Sequence, residues 1–205
     1  DAKVDTLTVH LREDRRHIKD QDLLELKKNS KIPINLEMAL TDEMIQIADK
    51  INPEFICLVP EKRNEITTEG GLNLKKNFKI IKMIVAKLNK KKIRTSLFID
   101  PSISNLILSK KIGTNCVELH TGKISRLVKN NKNFKKEFIK IKKCSKFGLI
   151  NNIEIHAGHG LDYKTTKILC KIPHISEYNI GHFIIGESIK IGISKVIQNF
   201  IKIIK

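Results

Sequence analysis

Four groups of residues in this sequence have types and spacings suited to moving protons or holding an anion. The first, His10-Leu11-Arg12-Glu13-Asp14-Arg15-Arg16-His17, sets three of the six arginines and two of the seven histidines directly after a strand-like run. Arginine offers a planar fork to phosphate oxygens, and histidine exchanges a proton near neutral pH. Glu13, Asp14, Arg15 and Arg16 read better as a solvated loop whose charges pair among themselves, whereas His10 and Arg12 lie closest to the strand end. The second group is Glu37, a carboxylate inside the apolar run Ile34-Asn35-Leu36-Glu37-Met38-Ala39-Leu40. Burial there raises a carboxyl towards the range of a general acid or base; a salt bridge to a rim arginine is the structural alternative.

The third group is the polar stretch 60–71, Pro60-Glu61-Lys62-Arg63 through Gly70-Gly71, which reads either as a lid that closes over substrate or as a plain connector. The fourth is His156-Ala157-Gly158-His159-Gly160-Leu161, followed by Asn179-Ile180-Gly181-His182. Glycines flanking a histidine just past a strand let backbone N–H groups approach a ligand, and the last two βα loops of a barrel form its recurrent phosphate site. A metal site built from His120, His156, His159 and His182 competes with this reading, but no acidic ligand stands at matching spacing.

The elements that must carry these groups alternate. Short Val/Ile/Leu/Phe runs at Thr6–Leu11, Ile34–Met38, Phe55–Val59, Thr95–Ile99, Cys116–His120, Ile153–His156 and Tyr178–Ile180 read as strands. Between them, helical periods cover Asp20–Lys28, Asp42–Lys50, Leu74–Asn89, Ile103–Lys111, Phe134–Ser145, Tyr163–Lys171 and Ile189–Ile204. Lys123–Lys136 is a loop or an extra helix. This rhythm predicts parallel βα units. A (β/α)8 TIM barrel is favoured over an open doubly wound sheet because nearly every strand ends in a polar or titratable residue, and in a barrel those ends share one rim. Seven of the eight βα units are visible, in one barrel domain spanning 1–205. The chain has 205 residues against ~250 for a typical barrel, and it starts without methionine in an apolar alternation. Both features lead to the expectation of an amino-terminally incomplete domain.

Composition narrows the function. No apolar run approaches the ~20 residues that span a bilayer and no secretory signal opens the chain, which predicts a cytosolic protein. Cys57, Cys116, Cys144 and Cys170 are widely separated and read as reduced, mostly buried thiols. The net charge of +17 comes from scattered lysine, and aromatic residues are only 5 % with no tryptophan. That pattern suits a solvated coat better than a nucleic-acid platform.

Taken in order, Thr-Val-His-Leu-Arg-Glu-Asp-Arg-Arg-His-Ile (8–18), Asn-Leu-Glu-Met-Ala (35–39), Leu-Val-Pro-Glu-Lys-Arg (58–63), Thr-Thr-Glu-Gly-Gly (67–71), Ser-Leu-Phe-Ile-Asp (96–100), Glu-Leu-His-Thr-Gly (118–122), Ala-Gly-His-Gly-Leu (157–161) and Asn-Ile-Gly-His (179–182) resemble the pyridoxine 5′-phosphate synthase family. The resemblance implies condensation of 1-deoxy-D-xylulose 5-phosphate with 3-amino-2-oxopropyl phosphate to give pyridoxine 5′-phosphate, phosphate and water. It implies no metal or organic cofactor, no nucleic acid or membrane partner, and a homo-oligomer. By motif, His10 would be a proton acceptor, Glu37 the central acid/base and His159 a proton donor. Arg12, His17 and Thr67 would hold the deoxyxylulose phosphate, and Gly160, Gly181 and His182 the amino-ketone phosphate. Three positions depart from the family pattern: an Asn-x-Asp-His strand with its following arginine does not appear, His156 stands where Asn is expected, and Glu187 where Arg is expected. Two rival functions are another phosphate-binding barrel isomerase or aldolase, and a non-catalytic basic RNA-binding barrel.

Overall fold

The computed structural model describes residues 2–61 and 70–205. Seven parallel strands, β1 (Leu7–His10), β2 (Ile34–Met38), β3 (Phe55–Leu58), β4 (Arg94–Ile99), β5 (Cys116–His120), β6 (Glu154–Gly158) and β7 (Glu177–Asn179), pair in strict chain order. They form a nearly closed TIM barrel. Among the described residues no backbone ladder joins β1 to β7, but Thr8 Oγ1 donates to Asn179 Oδ1 at 3.0 Å and links the two across the lumen.

Period-2 alternation sends one set of side chains outward and the other inward. In β2, Ile34, Leu36 and Met38 are at most 1 % exposed and belong to the core beneath the helices, while Asn35 and Glu37 point into the lumen. In β5 the outward residues are Val117 and Leu119, and the inward ones Cys116, Glu118 and His120. Helices α1 (Asp20–Asn29), α2 (Asp42–Ile51), α3 (Phe78–Lys90), α4 (Ile103–Ile112), α5 (Gly122–Lys129), α6 (Lys135–Asn151), α7 (Tyr163–Leu169), α8 (His182–Ile191) and α9 (Ile193–Ile204) connect the strands or close the chain. Their apolar stripes complete the core, as with Met44, Ile45, Ala48 and Ile51 of α2. Side-chain caps start three helices: Thr41 accepts from Met44 N–H, Ser102 from Asn105 N–H and Asp162 from Thr165 N–H.

Of the two readings of the stretch after β5, loop or extra helix, the structure has a helix, α5. Other helix boundaries differ from the sequence expectation: α3 begins at Phe78 and not at Leu74. Helix α6 continues past Ser145 to Asn151 because Gly148 is a contact point and not a stop: a Cβ there would lie 2.5 Å from Ile155 of β6. The last helix begins at His182, well before Ile189, and Gly192, at φ 80°, divides it into α8 and α9. Tyr163, Phe183 and Phe200 then stack in a three-ring cluster, with centroids 4.6–5.8 Å apart, that ties α7, α8 and α9 together.

The lower lumen is filled by charge. Arg94 pairs with Glu177 at 2.6 Å and Glu154 at 3.3 Å, and its guanidinium lies over the Phe55 ring. His156 lies between the same two carboxylates, 3.3 Å from Glu154 and 3.6 Å from Glu177. The histidine that replaces the expected asparagine is therefore a buried member of this ionic layer, facing the lumen below the Gly-His loop. Cys57, Cys116 and Cys144 are buried free thiols, and Cys170 is partly exposed. Among the described residues no helix is long and apolar enough to cross a membrane.

Candidate active site

The carboxyl ends of the strands gather the titratable residues at one mouth. His10 closes β1 and Glu37 is the penultimate residue of β2, and the two are register partners. Glu37 Oε2 stands 3.6 Å from His10 Nδ1, while the other ring nitrogen, Nε2, meets Glu61 Oε1 at 2.8 Å. Glu61 also accepts the backbone N–H of Glu13 at 3.1 Å. Burial alone would raise Glu61, but the bonds from His10 and Glu13 outweigh it and hold the carboxyl below its ordinary value. Glu37 moves the other way. Its side chain is 23 % open to the mouth, yet the surrounding protein raises it above the ordinary glutamate value, and the His10 charge offsets that only in part. A histidine between two carboxyl groups, one kept ionised and one inclined to hold a proton, can accept and return protons near neutrality.

Deeper in the lumen lies Glu118, 2 % exposed. Burial, then the charges of Glu37 and Glu177, push it well above the usual carboxylate range and favour its acid form. It accepts from Asn179 Nδ2 at 2.9 Å and meets the Cys57 thiol at 3.7 Å. Asn179 continues the network through Thr8 to Asn35. A Cβ on Gly158 would lie 1.8 Å from Glu118 Oε1, so glycine is what admits the carboxyl under β6.

His159 follows Gly158 and turns onto the rim with φ 77°, a left-handed conformation uncommon for a side-chain-bearing residue. The Thr121 hydroxyl lies 2.6 Å from the Gly158 carbonyl and 2.8 Å from the His159 carbonyl, and so clamps this turn. Burial, then the charges of His120, Arg126 and His182, lower His159 to about 4, so the ring is neutral before substrate binds. Gly160 is also left-handed at φ 74°. Gly181 precedes α8, whose first residue is the exposed His182, and the space beside Gly181 is open. The unpaired N–H groups of this helix start favour an anion.

The other expected phosphate holders are divided. Arg12 is buried, its Nε 3.5 Å from Asp14 Oδ1, and His17 is exposed on the surface loop. Thr67 and most of the 60–71 stretch lie outside the described residues. Arg15 pairs with Asp20 and Glu43, and Arg16 with Asp14, as a solvated loop would have it. Among the described residues no group of three or more His, Cys, Asp or Glu side chains could hold a metal ion.

Residues 1–205 match the family described as Pyridoxal phosphate biosynthesis protein PdxJ. The chain belongs to that family. It is similar to the pyridoxine 5′-phosphate synthase of Pelagibacter ubique, with 60 % identity over 195 residues covering 95 % of this chain and 82 % of the relative. It is also similar to that of Ehrlichia chaffeensis, with 46 % identity over 200 residues, 98 % of this chain and 82 % of the relative. Among solved structures, 3-keto-L-gulonate-6-phosphate decarboxylase from Vibrio cholerae superposes with a TM-score of 0.70 at 12 % identity, over 98 % of this chain and 85 % of that one. Thiamine phosphate pyrophosphorylase from Pyrococcus furiosus does so at 0.64 and 10 %, over 99 % and 84 %. These distant likenesses show the barrel fold. Membership in PdxJ makes the chain an enzyme of the synthase type, in vitamin B6 synthesis.

Within this PdxJ chain, two mouth residues had no role assigned from sequence. Glu118 carried the same signal as Glu37, a carboxylate inside an apolar strand. Glu61 was visible only as part of the polar stretch after β3, and its approach to His10 is a tertiary contact that no periodicity specifies.

Proposed function

We propose that the chain condenses 1-deoxy-D-xylulose 5-phosphate with 3-amino-2-oxopropyl phosphate to form pyridoxine 5′-phosphate, with release of phosphate and water. The observation that carries this reading is the placement of His10, between Glu37 and Glu61, on the same mouth as His159. Joining an amine to a ketone, dehydrating the adduct, expelling phosphate and closing an aromatic ring need repeated proton transfer at several atoms, and little nucleophilic force from the protein. His10 takes a proton and Glu37, biased towards its acid form, passes protons within the lumen. The neutral His159 becomes a donor once a phosphate dianion nearby favours its protonation. Arg12, His17 and Thr67 hold one phosphate, while Gly160, Gly181 and His182 hold the other through backbone N–H groups and an imidazole. No metal or organic cofactor enters this scheme. The two substrates are its small-molecule partners, and the protein works as a homo-oligomer in the cytoplasm.

The test mixes purified protein with both substrates and follows inorganic phosphate and pyridoxine 5′-phosphate together. The expected result is release of phosphate in step with the vitamer. Folded protein that gives neither product overturns the reading, and turnover of a single sugar phosphate would favour an isomerase or aldolase instead.

A further inference from the structure

Beside His159 stands a second imidazole with its own carboxylate. His120, the last residue of β5, has 9 % of its surface exposed, and its Nδ1 lies 3.2 Å from Asp100 Oδ1. Asp100 is held below the ordinary aspartate value chiefly by this bond, so the carboxylate accepts and Nδ1–H donates. The ring is thereby fixed in tautomer and plane. Its other face meets His159, with ring centroids 4.9 Å apart and planes inclined at 56°, and Phe98 packs edge-on against it at 5.3 Å. The backbone allows nothing larger between the two imidazoles: a Cβ on Gly122 would lie 2.7 Å from His120 Nε2 and 2.8 Å from His159 Cδ2. The next residue before that glycine, Thr121, clamps the left-handed turn from which His159 projects. Behind Asp100 and His120 opens a cavity of about 190 Å³, also lined by Lys123, Glu137 and Lys140, with room for several water molecules. The Asp100 side chain is itself well exposed, and its bond to His120 favours the ionised carboxylate.

We propose that His120, tethered to Asp100, is the positioning residue of His159, fixing the place and plane of its ring. The proposal rests on the reading of His159 as the proton donor. Its physical content is that the ring held by Asp100 is packed against His159, where a charge on His120 works against a charge on His159. Arg126 of α5 and His182 of α8 add to that opposition, whereas Lys123 of α5 and Lys140 of α6 pair with Glu137. A bound phosphate dianion reverses the balance at His159, so the donor is charged only in the loaded site. The alternative, an aromatic core contact, needs a flat ring at residue 120 and no carboxylate at residue 100.

The experiment titrates His159 by NMR in ¹⁵N-histidine-labelled protein and measures steady-state kinetics, for the parent chain and for His120→Phe and Asp100→Asn. His120→Phe keeps a ring of similar size. In the parent, His159 should titrate near 4. In His120→Phe its midpoint should rise by about one pH unit or more, with kcat at least about tenfold lower and KM for both substrates within about threefold. Asp100→Asn should lower kcat in the same direction and broaden the His159 resonance as the ring loses its tether. An unshifted His159 midpoint together with kcat within about twofold of the parent, in the variant that folds, overturns the proposal. Should His120→Phe fail to fold, Asp100→Asn decides by the same two measurements. A parent chain that makes no pyridoxine 5′-phosphate would defeat the proposed reaction while the midpoint shift still reports the coupling of the two rings.

Discussion

Nε2 of His10 and Oε1 of Glu61 meet at 2.8 Å, although 51 residues separate them in sequence. Glu61 fixes one nitrogen of the ring and leaves Nδ1 turned to Glu37. Glu61→Gln keeps the shape and removes the charge that orients the imidazole. The expected outcome is a fall in kcat of about tenfold to a hundredfold, with little change in melting temperature, measured by steady-state kinetics beside a thermal melt.

Glu37→Gln should fold normally, because the carboxyl sits at the open mouth and not in the sealed core. Turnover should drop by about a hundredfold or more, the loss expected for a removed general acid/base. Turnover near that of the parent would take Glu37 out of the proton path.

At Gly158 space is the deciding factor. Alanine would bring a methyl group 1.8 Å from the Glu118 carboxyl, which is itself held by Asn179 and Cys57 and cannot retreat freely. Gly158→Ala is expected to destabilise the fold by about 1–3 kcal/mol, in the range of overpacking, as read by urea unfolding. In Glu118→Gln the same alanine should cost no less, since the amide fills the same volume.

Glu118 also sets a pH dependence. Its value in the folded chain is raised well above the unfolded 4.5, so between the two values the folded state binds more protons than the unfolded one. Stability is therefore full below the unfolded value and is lost as pH rises towards the folded one. Unfolding free energy measured from pH 5 upward should decline in the parent, and Glu118→Gln, which cannot ionise, should flatten that decline. A parallel decline in both would place its origin elsewhere.

Much of the barrel was legible in the residues. Strand positions followed the apolar runs within a residue or two, since a strand buried on both sides must present Ile34, Leu36 and Met38 to the helices whatever faces inward. Glu37 stood out because a carboxylate in such a run is costly unless it is used. Helix boundaries were less legible. The helices expected to end at Ser145 and to begin at Ile189 run on through Gly148 and Gly186, the former glycine lying where a strand passes too close for any side chain. The partners of each histidine were not legible at all. Asp100, Glu61 and Thr121 reach His120, His10 and the His159 turn through tertiary approach, and His156, which resembled part of the Gly-His motif, is drawn into the lumen by alternation along β6.

The stack of Tyr163, Phe183 and Phe200 makes the last helix a buttress. Phe200 of α9 presses on Phe183, one residue beyond the start of α8, and Asn199 donates to the Tyr163 hydroxyl at 3.3 Å. The orientation of the Gly181–His182 helix start, and with it the aim of its N–H groups, is thus inherited from side chains of α7 and α9. If that helix start holds a phosphate as proposed, loss of α9 should weaken phosphate binding there before it unravels the strands.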